Sequence, residues 1–136
     1  MEKTRPLAVK ASPTGGSPSA GAILEILKPV TWFAPMWAFA CGAVAASDPG
    51  APFPYAMMLA GMLLAGPLVC GASQAMNDWC DRHVDAINQP ERPIPSGRLP
   101  GRTGFHVAVG ATLVSLGYAA LLGPLGAQGE ETVVIP

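Results

Sequence analysis

One stretch of the chain, residues 53–76, contains no charged side chain in 24 positions. At a rise of about 1.5 Å per residue, a helix of this length reaches about 36 Å, enough to cross a hydrocarbon layer of about 30 Å. Two further stretches, residues 30–46 and 104–126, are also free of Asp, Glu, Lys and Arg. Only 12% of the residues are charged, against about 25% in soluble domains. The sequence therefore predicts an all-α fold, a polytopic transmembrane helix bundle with about three spans at these positions.

The basic residues indicate how such a bundle is oriented. All eight Lys and Arg residues lie before the first predicted span or between the end of the second and the start of the third: Lys3, Arg5, Lys10, Lys28, Arg82, Arg92, Arg98 and Arg102. Basic loops favour the cytoplasmic face. We therefore expect an integral, multi-pass membrane protein whose N-terminus is cytoplasmic. The formal net charge of −1 and the lack of a basic patch exclude a nucleic-acid partner.

The segments outside the spans have distinct compositions. Residues 1–22 are rich in Pro, Ser, Gly and Ala, which predicts a disordered tail. Residues 86–103 hold prolines and glycines that cannot continue a helix, so we expect a structured cytoplasmic loop. Residues 127–136 are atypical of another span or of a folded cap, and the chain is expected to be the front part of a longer protein, truncated or shifted in reading frame near residues 123–128. The three cysteines have no CxxC spacing and are expected to be reduced packing residues.

The second span ends in a run of polar residues that share a helix face. At about 100° per residue, Asn77, Asp78, Asp81 and Asp85 fall within an arc of about 100°. Carboxylates stacked one turn apart repel one another, so a charged face of this kind is stable when a cation lies over it. Solvated acids at a helix end are the alternative interpretation, but polar groups beside a membrane span are usually functional. We therefore predict a metal site that opens to the cytoplasm.

The ligand types favour magnesium. Mg²⁺ takes oxygen ligands and commonly binds one or two carboxylates together with substrate phosphates. Asn77 and Asp81 can bind one ion, and Asp78 and Asp85 a second ion or bridging waters, so all four are predicted metal ligands. Asp81 and Asp85 are the predicted catalytic residues. Three arginines are predicted to bind a diphosphate through their forked guanidinium groups, namely Arg92, Arg98 and Arg82.

Other polar and aromatic residues near this face have simpler interpretations. His83 points away from the acidic arc and is expected to be a surface or packing residue, and His106 an interfacial one. Trp79 lies opposite the acids and is expected to contact lipid or another helix. Lys28 and Arg102 are interpreted as topological anchors.

The motif Asn77-Asp78-x-x-Asp81-x-x-x-Asp85 resembles the first aspartate-rich motif of the UbiA superfamily of intramembrane prenyltransferases. The longer segment of residues 77–98, with Cys-Asp-Arg-His-Val-Asp-Ala near its start, is similar to the chlorophyll and bacteriochlorophyll synthase branch. Leu27-Lys-Pro-Val-Thr-Trp-Phe33 and Ala65-Gly-Pro-Leu-Val-Cys-Gly71 resemble the same branch. The likeness covers about residues 22–122.

The resemblance implies an enzyme that binds an isoprenoid diphosphate through Mg²⁺ and transfers a geranylgeranyl or phytyl group to the propionate of a (bacterio)chlorophyllide. It also implies nine transmembrane segments with a second aspartate-rich motif on a later helix, whereas this sequence contains one such motif. A bacterial inner or intracytoplasmic photosynthetic membrane is the expected location. Two alternatives stay open: a prenyltransferase of the same fold that acts on a quinone precursor or haem, and a small non-catalytic membrane protein that binds divalent cations.

Overall fold

A computed structural model describes residues 17–127 of the chain, so most of the predicted disordered tail and nearly all of the predicted C-terminal tail lie outside the described residues. Every regular element within that range is helical, which confirms the predicted all-α fold. The elements are α1 (Ala20–Leu27), a 3₁₀ turn (Pro29–Thr31), α2 (Phe33–Ala45), α3 (Tyr55–Leu63), a π-helical segment (Leu64–Cys70), α4 (Gly71–Cys80), α5 (Arg82–Asn88) and α6 (Thr103–Ala127).

Two of these helical stretches are long and apolar enough to cross a membrane. The first is Tyr55–Cys80, formed by α3, the π segment and α4 in 26 residues, and the second covers Thr103–Gly123 in 21 residues. They match the second and third predicted spans to within a few residues. α2 corresponds to the first predicted span but is shorter, because its 13 residues reach only about 20 Å. Pro29 precedes this helix and a Ser-Asp-Pro-Gly turn follows it, and these residues limit its length.

The π segment lies in the middle of the longest helix and contains Pro67. Proline has no N–H to donate, and its ring would clash with the carbonyl one turn earlier in an α-helix. The wider π turn accommodates the ring without ending the helix. Gly66, inside this segment, lies so close to α2 that a Cβ there would overlap the side chain of Met36. The small residue therefore permits close contact between α2 and the long helix.

The long helix ends earlier than the sequence predicts. Its last residue is Cys80, and Asp81 (φ −82°, ψ 0°) forms a turn before α5 begins at Arg82. The backbone N–H of Asp81 still donates to Asn77 O at 2.8 Å, and that of Asp85 donates to Asp81 O at 2.9 Å. The polar motif is thus distributed over two consecutive helices instead of one face of a single helix.

α1 and the loop before α6 cover the polar end of the bundle. Ile26 of α1 is fully buried against Leu99 of the loop, together with Ala75 of α4 and Ala108 of α6. The loop is folded by its own backbone bonds, such as Leu99 N–H to Pro93 O at 2.9 Å. It covers residues 89–102, because α5 continues to Asn88 and α6 starts at Thr103.

Candidate metal and diphosphate site

Asn77 and Asp81 form the outward-facing part of the polar motif. Both residues are exposed, and Asn77 Nδ2 donates to Asp81 Oδ2 at 3.1 Å. The two side chains lie one turn apart because the helical hydrogen bond from Asp81 N–H to Asn77 O is kept where α4 ends. This pair brings together one amide and one carboxylate, as the sequence spacing predicts.

Asn77 also lines a cavity of about 550 Å³ between the long helix and α6. The other lining residues are mostly apolar or hydroxyl-bearing: Val69, Ala72, Ser73, Met76, Cys80, Thr112, Ser115 and Leu116. The hydroxyls of Thr112 and Ser115 each donate to a carbonyl of their own helix, at 2.8 Å, so their protons are already used. The cavity is therefore a largely apolar space whose lining includes Asn77, and Asn77 in turn is hydrogen-bonded to Asp81.

Asp78 and Asp85 lie apart from that pair and are buried, with relative exposures of 4% and 6%. Asp78 Oδ1 accepts from Lys28 Nζ at 2.6 Å and lies 3.4 Å from Arg92 Nη1. The same Nη1 atom donates to Asp85 Oδ2 at 2.8 Å. Two carboxylates and two cations thus form one network, here called the inner ion-pair network. Burial of the carboxylates is tolerated because each has a charged partner.

The three predicted phosphate-binding arginines occupy different surroundings. Arg92 belongs to the inner ion-pair network and also donates from Nε to Gln89 at 2.6 Å. Arg82 lies over the Trp79 ring, 4.2 Å from its centroid, and donates to Trp79 O. Of the three arginines, Arg92 alone contacts carboxylates of the motif within residues 17–127.

Arg98 connects the loop to α1. Its Nη1 and Nη2 donate to the Glu25 carboxylate at 2.7 and 2.9 Å, and Nη2 also donates to Glu91 O. The hydrogen bond from Arg98 lowers the pKa of Glu25 below its usual value, against a smaller opposing effect of desolvation. The same bond raises the pKa of Arg98. The fork of this arginine is occupied within the protein.

The four predicted metal ligands do not converge on one point. Among residues 17–127, no three His, Cys, Asp or Glu side chains come together in a way that could hold an ion. Neighbouring positions on a helix diverge by about 100°, and Lys28 and Arg92 draw Asp78 and Asp85 inward. The exposed Asn77–Asp81 pair fits Mg²⁺, which often takes one carboxylate and completes its shell with water and substrate phosphate. Metal binding by Asp78 and Asp85 stays a prediction.

Lys28 makes a tertiary contact that the local sequence does not reveal. The sequence favours a topological anchor, yet Lys28 forms the shortest ion pair of the network. Its backbone has φ 47° and ψ 67° at the end of α1, a left-handed conformation in which glycine is usual and other residues are strained by about 1 kcal/mol. One feature of the sequence could have indicated a specific contact for Lys28: no other Lys or Arg occurs between Lys10 and Arg82.

The fold and site together define a helical membrane protein with a polar, carboxylate-bearing end above an apolar cavity. A family model for the UbiA prenyltransferase family matches residues 34–128. The chain belongs to this family. Family members are membrane helical bundles and are generally dependent on divalent metals.

Several curated proteins are similar to the chain. The bacteriochlorophyll synthase 33 kDa chain of Cereibacter sphaeroides is 56% identical over 110 residues, which cover 80% of this chain and 36% of the relative. The bacteriochlorophyll synthase 34 kDa chain of Chloroflexus aurantiacus is 46% identical, over 74% of this chain and 32% of its own. The chloroplastic chlorophyll synthase of Oryza sativa subsp. japonica is 39% identical, over 73% and 27%. The chain thus spans about a third of the length of these relatives. No solved structure matches it.

Proposed function

We propose that the chain supplies the first metal- and diphosphate-binding half of a prenyltransferase that esterifies the propionate of a (bacterio)chlorophyllide with a geranylgeranyl or phytyl group. The choice of acceptor is supported by the names of the relatives, which are bacteriochlorophyll and chlorophyll synthases. The observation that carries the proposal is Asn77, which lines an apolar cavity and is hydrogen-bonded to the exposed carboxylate of Asp81. A lipid diphosphate needs both parts of such a site, because one end is charged and the other is a hydrocarbon chain.

Asn77 and Asp81 would hold Mg²⁺, and the bound ion would supply the positive charge that stabilises diphosphate as a leaving group. Arg92 contacts Asp78 and Asp85 of the same motif, with Nε and Nη1 engaged by the protein. Its Nη2 donates to no residue within 17–127 and is directed to a phosphate oxygen in this proposal. Arg82 and Arg98 would contribute positive potential without changing their present partners.

In the proposed reaction, the bond between C1 of the prenyl group and the diphosphate oxygen breaks, and its electrons leave with diphosphate. An oxygen of the ionised propionate then forms the new ester bond to C1. An allylic cation reacts readily with water, so water must be kept from C1. In this proposal the apolar side chains that line the cavity, including Val69, Met76 and Leu116, disfavour water around C1.

We also propose that the protein is multi-pass in a bacterial inner or intracytoplasmic photosynthetic membrane, with its acidic motif in the cytoplasm. The long helix that ends at Cys80 is joined to the start of α6 at Thr103 through α5 and the loop of residues 89–102. The described basic residues lie at that end, in α1, α5 and the loop. Their common position supports a cytoplasmic location under the positive-inside tendency.

A chimera tests the proposed activity. Residues 20–127 replace the matching segment of the Cereibacter sphaeroides relative, and membranes containing the chimera are supplied with geranylgeranyl diphosphate, Mg²⁺ and bacteriochlorophyllide. We expect esterified pigment, and we expect none from the same chimera with Asp81→Ala. A parallel reaction with 4-hydroxybenzoate tests the quinone-precursor alternative. Prenylation of 4-hydroxybenzoate but not of the pigment would contradict the proposed acceptor, and a well-expressed chimera active on neither would contradict the proposal itself.

A further inference from the structure

The inner ion-pair network joins three separate parts of the chain at the polar end. Lys28 belongs to the end of α1, Asp78 to α4 and Asp85 to α5, while Arg92 belongs to the following loop. The two positive and two negative charges cancel within the network. Asp81 is then the only carboxylate of the motif that faces outward without a cationic partner in the described part of the chain.

We propose that the motif is divided into two layers: Asn77 and Asp81 meet the metal, whereas Asp78 and Asp85 are positioning residues that bind Lys28 and Arg92 instead of an ion. This inference rests on the proposed function, because it concerns how the diphosphate site is held. Its new content is the assignment of Lys28 to the site and the removal of two acids from the predicted ligand set.

Three observations carry this inference. The carboxylates of Asp78 and Asp85 are about nine-tenths or more buried, with side-chain exposures of 5% and 9%, so an ion bound there would have to displace a cation and enter the protein. A single atom, Arg92 Nη1, contacts both acids, which fixes the guanidinium plane and the direction of its remaining N–H groups. Finally, Lys28 keeps a left-handed backbone conformation at a position where glycine would be unstrained, which indicates that its ammonium group is needed.

The backbone conformation of Lys28 makes one substitution decisive. Lys28→Gly removes the strain of the left-handed conformation and the ammonium group together. If Lys28 served only to end α1, glycine would raise the stability or leave it unchanged. If its ammonium group neutralises Asp78, glycine leaves a buried carboxylate short of a partner, and stability falls.

The experiment uses the full chain in detergent with Mn²⁺ and inorganic pyrophosphate as probes. Mn²⁺ binding is followed by the electron paramagnetic resonance of the free ion, pyrophosphate binding by calorimetry at saturating Mn²⁺, and stability by the midpoint of thermal unfolding. The variants are Lys28→Gly, Asp78→Asn and the double variant. Asp81→Asn serves as the metal-site reference. Arg102→Gln is the matched control, since Arg102 is an exposed cation at the same end that lies over Phe105.

We expect Lys28→Gly and Asp78→Asn each to lower the unfolding midpoint and to weaken pyrophosphate binding about tenfold. Their Mn²⁺ affinity measured without pyrophosphate should stay within about twofold of that of the unsubstituted chain, as for sites without a shared partner. The double variant should resemble the single variants instead of adding their effects, because both substitutions break the same pair. If Asp78→Asn alone fails to fold, the double variant still tests the inference, because it contains no lysine without a partner at position 28.

Two results would overturn the inference while leaving the proposed function intact. One is a loss of Mn²⁺ affinity in Asp78→Asn equal to that in Asp81→Asn, which would make Asp78 a ligand. The other is a Lys28→Gly chain that is as stable as the unsubstituted chain and binds pyrophosphate equally well. If the unsubstituted chain binds neither Mn²⁺ nor pyrophosphate, the proposed function fails first and the inference with it.

Discussion

Asp81 and Asp78 differ by three positions in the chain but have opposite surroundings. Asp81 is exposed and accepts one hydrogen bond from a neutral amide, whereas Asp78 is buried between two cations. A carboxylate with a free coordination side can bind a metal at little desolvation cost, and a buried, neutralised one cannot. Both residues are aspartates, so the different functions that we propose for them follow from their surroundings.

Asp81→Ala is predicted to abolish Mg²⁺-dependent binding of diphosphate. The substitution removes the only outward carboxylate of the motif and leaves Asn77 alone at the cavity. Calorimetric titration of pyrophosphate, with and without Mg²⁺, measures the effect. Asp48→Ala is the control, because Asp48 lies in the turn after α2, where it accepts from the backbone of Gly50 at 2.9 Å. Unchanged Mg²⁺-dependent binding in the Asp81 variant would remove this residue from the site.

The Glu25–Arg98 pair is predicted to make the docking of α1 dependent on pH. Because the bond from Arg98 lowers the pKa of Glu25 in the folded chain, ionised Glu25 favours folding above its unfolded-state pKa. This contribution decreases as the pH falls through the acidic range and is lost below the lowered pKa. Both side chains are about half exposed, so the effect is small. Thermal unfolding of the unsubstituted chain and of Glu25→Gln should differ at pH 7 and converge in acid. A constant difference across that range would contradict the assignment.

The sequence identifies the oxygen-bearing side chains of the candidate site, but it does not show which of them pair with cations. The spacing of Asn77, Asp81 and Asp85 is visible in the sequence and indicates oxygen ligands. The partner of Asp78 is 50 positions away along the chain, and no local pattern identifies such a pair. The bidentate partner of Arg98, Glu25, lies 73 positions away and is likewise not visible in the local sequence.

At the scale of the elements, helix packing depends on glycines that have no room for a side chain. A Cβ at Gly66 would lie 2.7 Å from Met36 Sδ and 3.1 Å from the backbone oxygen of Trp32. Backbone cannot move aside as a flexible side chain does. Contact between α2 and the π segment therefore requires glycine at this position.

Gly66→Ala is accordingly predicted to destabilise the fold by about 1–3 kcal/mol, the usual range for overpacking. Gly42→Ala is the matched control, since nothing lies within 4 Å of a Cβ at that position in α2. Alanine favours helix over glycine by about 1 kcal/mol, so this control should be neutral or stabilising. Thermal unfolding in detergent measures both variants. An equal response of the two variants would contradict the close packing at Gly66.

The helix boundaries show which elements can be predicted from sequence patterns alone. The charge-free lengths of residues 53–76 and 104–126 predict the two long helices well, because membrane thickness and composition determine them. The turn at Asp81 was missed, because its sequence contains no proline or glycine. Asp78 and Asp85, on either side of this turn, make tertiary contacts with Lys28 and Arg92. Local helix preference does not reveal such contacts.

At the scale of the whole molecule, orientation in the membrane is open to direct measurement. In a chain whose three cysteines are replaced by alanine, Ala51→Cys and Ser96→Cys place single exposed thiols in the turn after α2 and in the loop before α6. A membrane-impermeant maleimide should label Ala51→Cys in intact spheroplasts and label Ser96→Cys only after permeabilisation. The proposed cytoplasmic site predicts this order. The reverse order would place the acidic motif outside the cell.

The π segment has a consequence for every residue that follows it. One π turn holds about one residue more than an α turn, so it rotates the rest of the helix by about 100° relative to an uninterrupted α-helix. That offset decides which residues of α4 point toward α6 and which toward α1. Removing a single residue near Pro67 would rotate the Asn77 side chain away from the cavity that it now lines. The π turn around Pro67 thereby determines the direction of the Asn77 side chain, about 15 Å further along the helix.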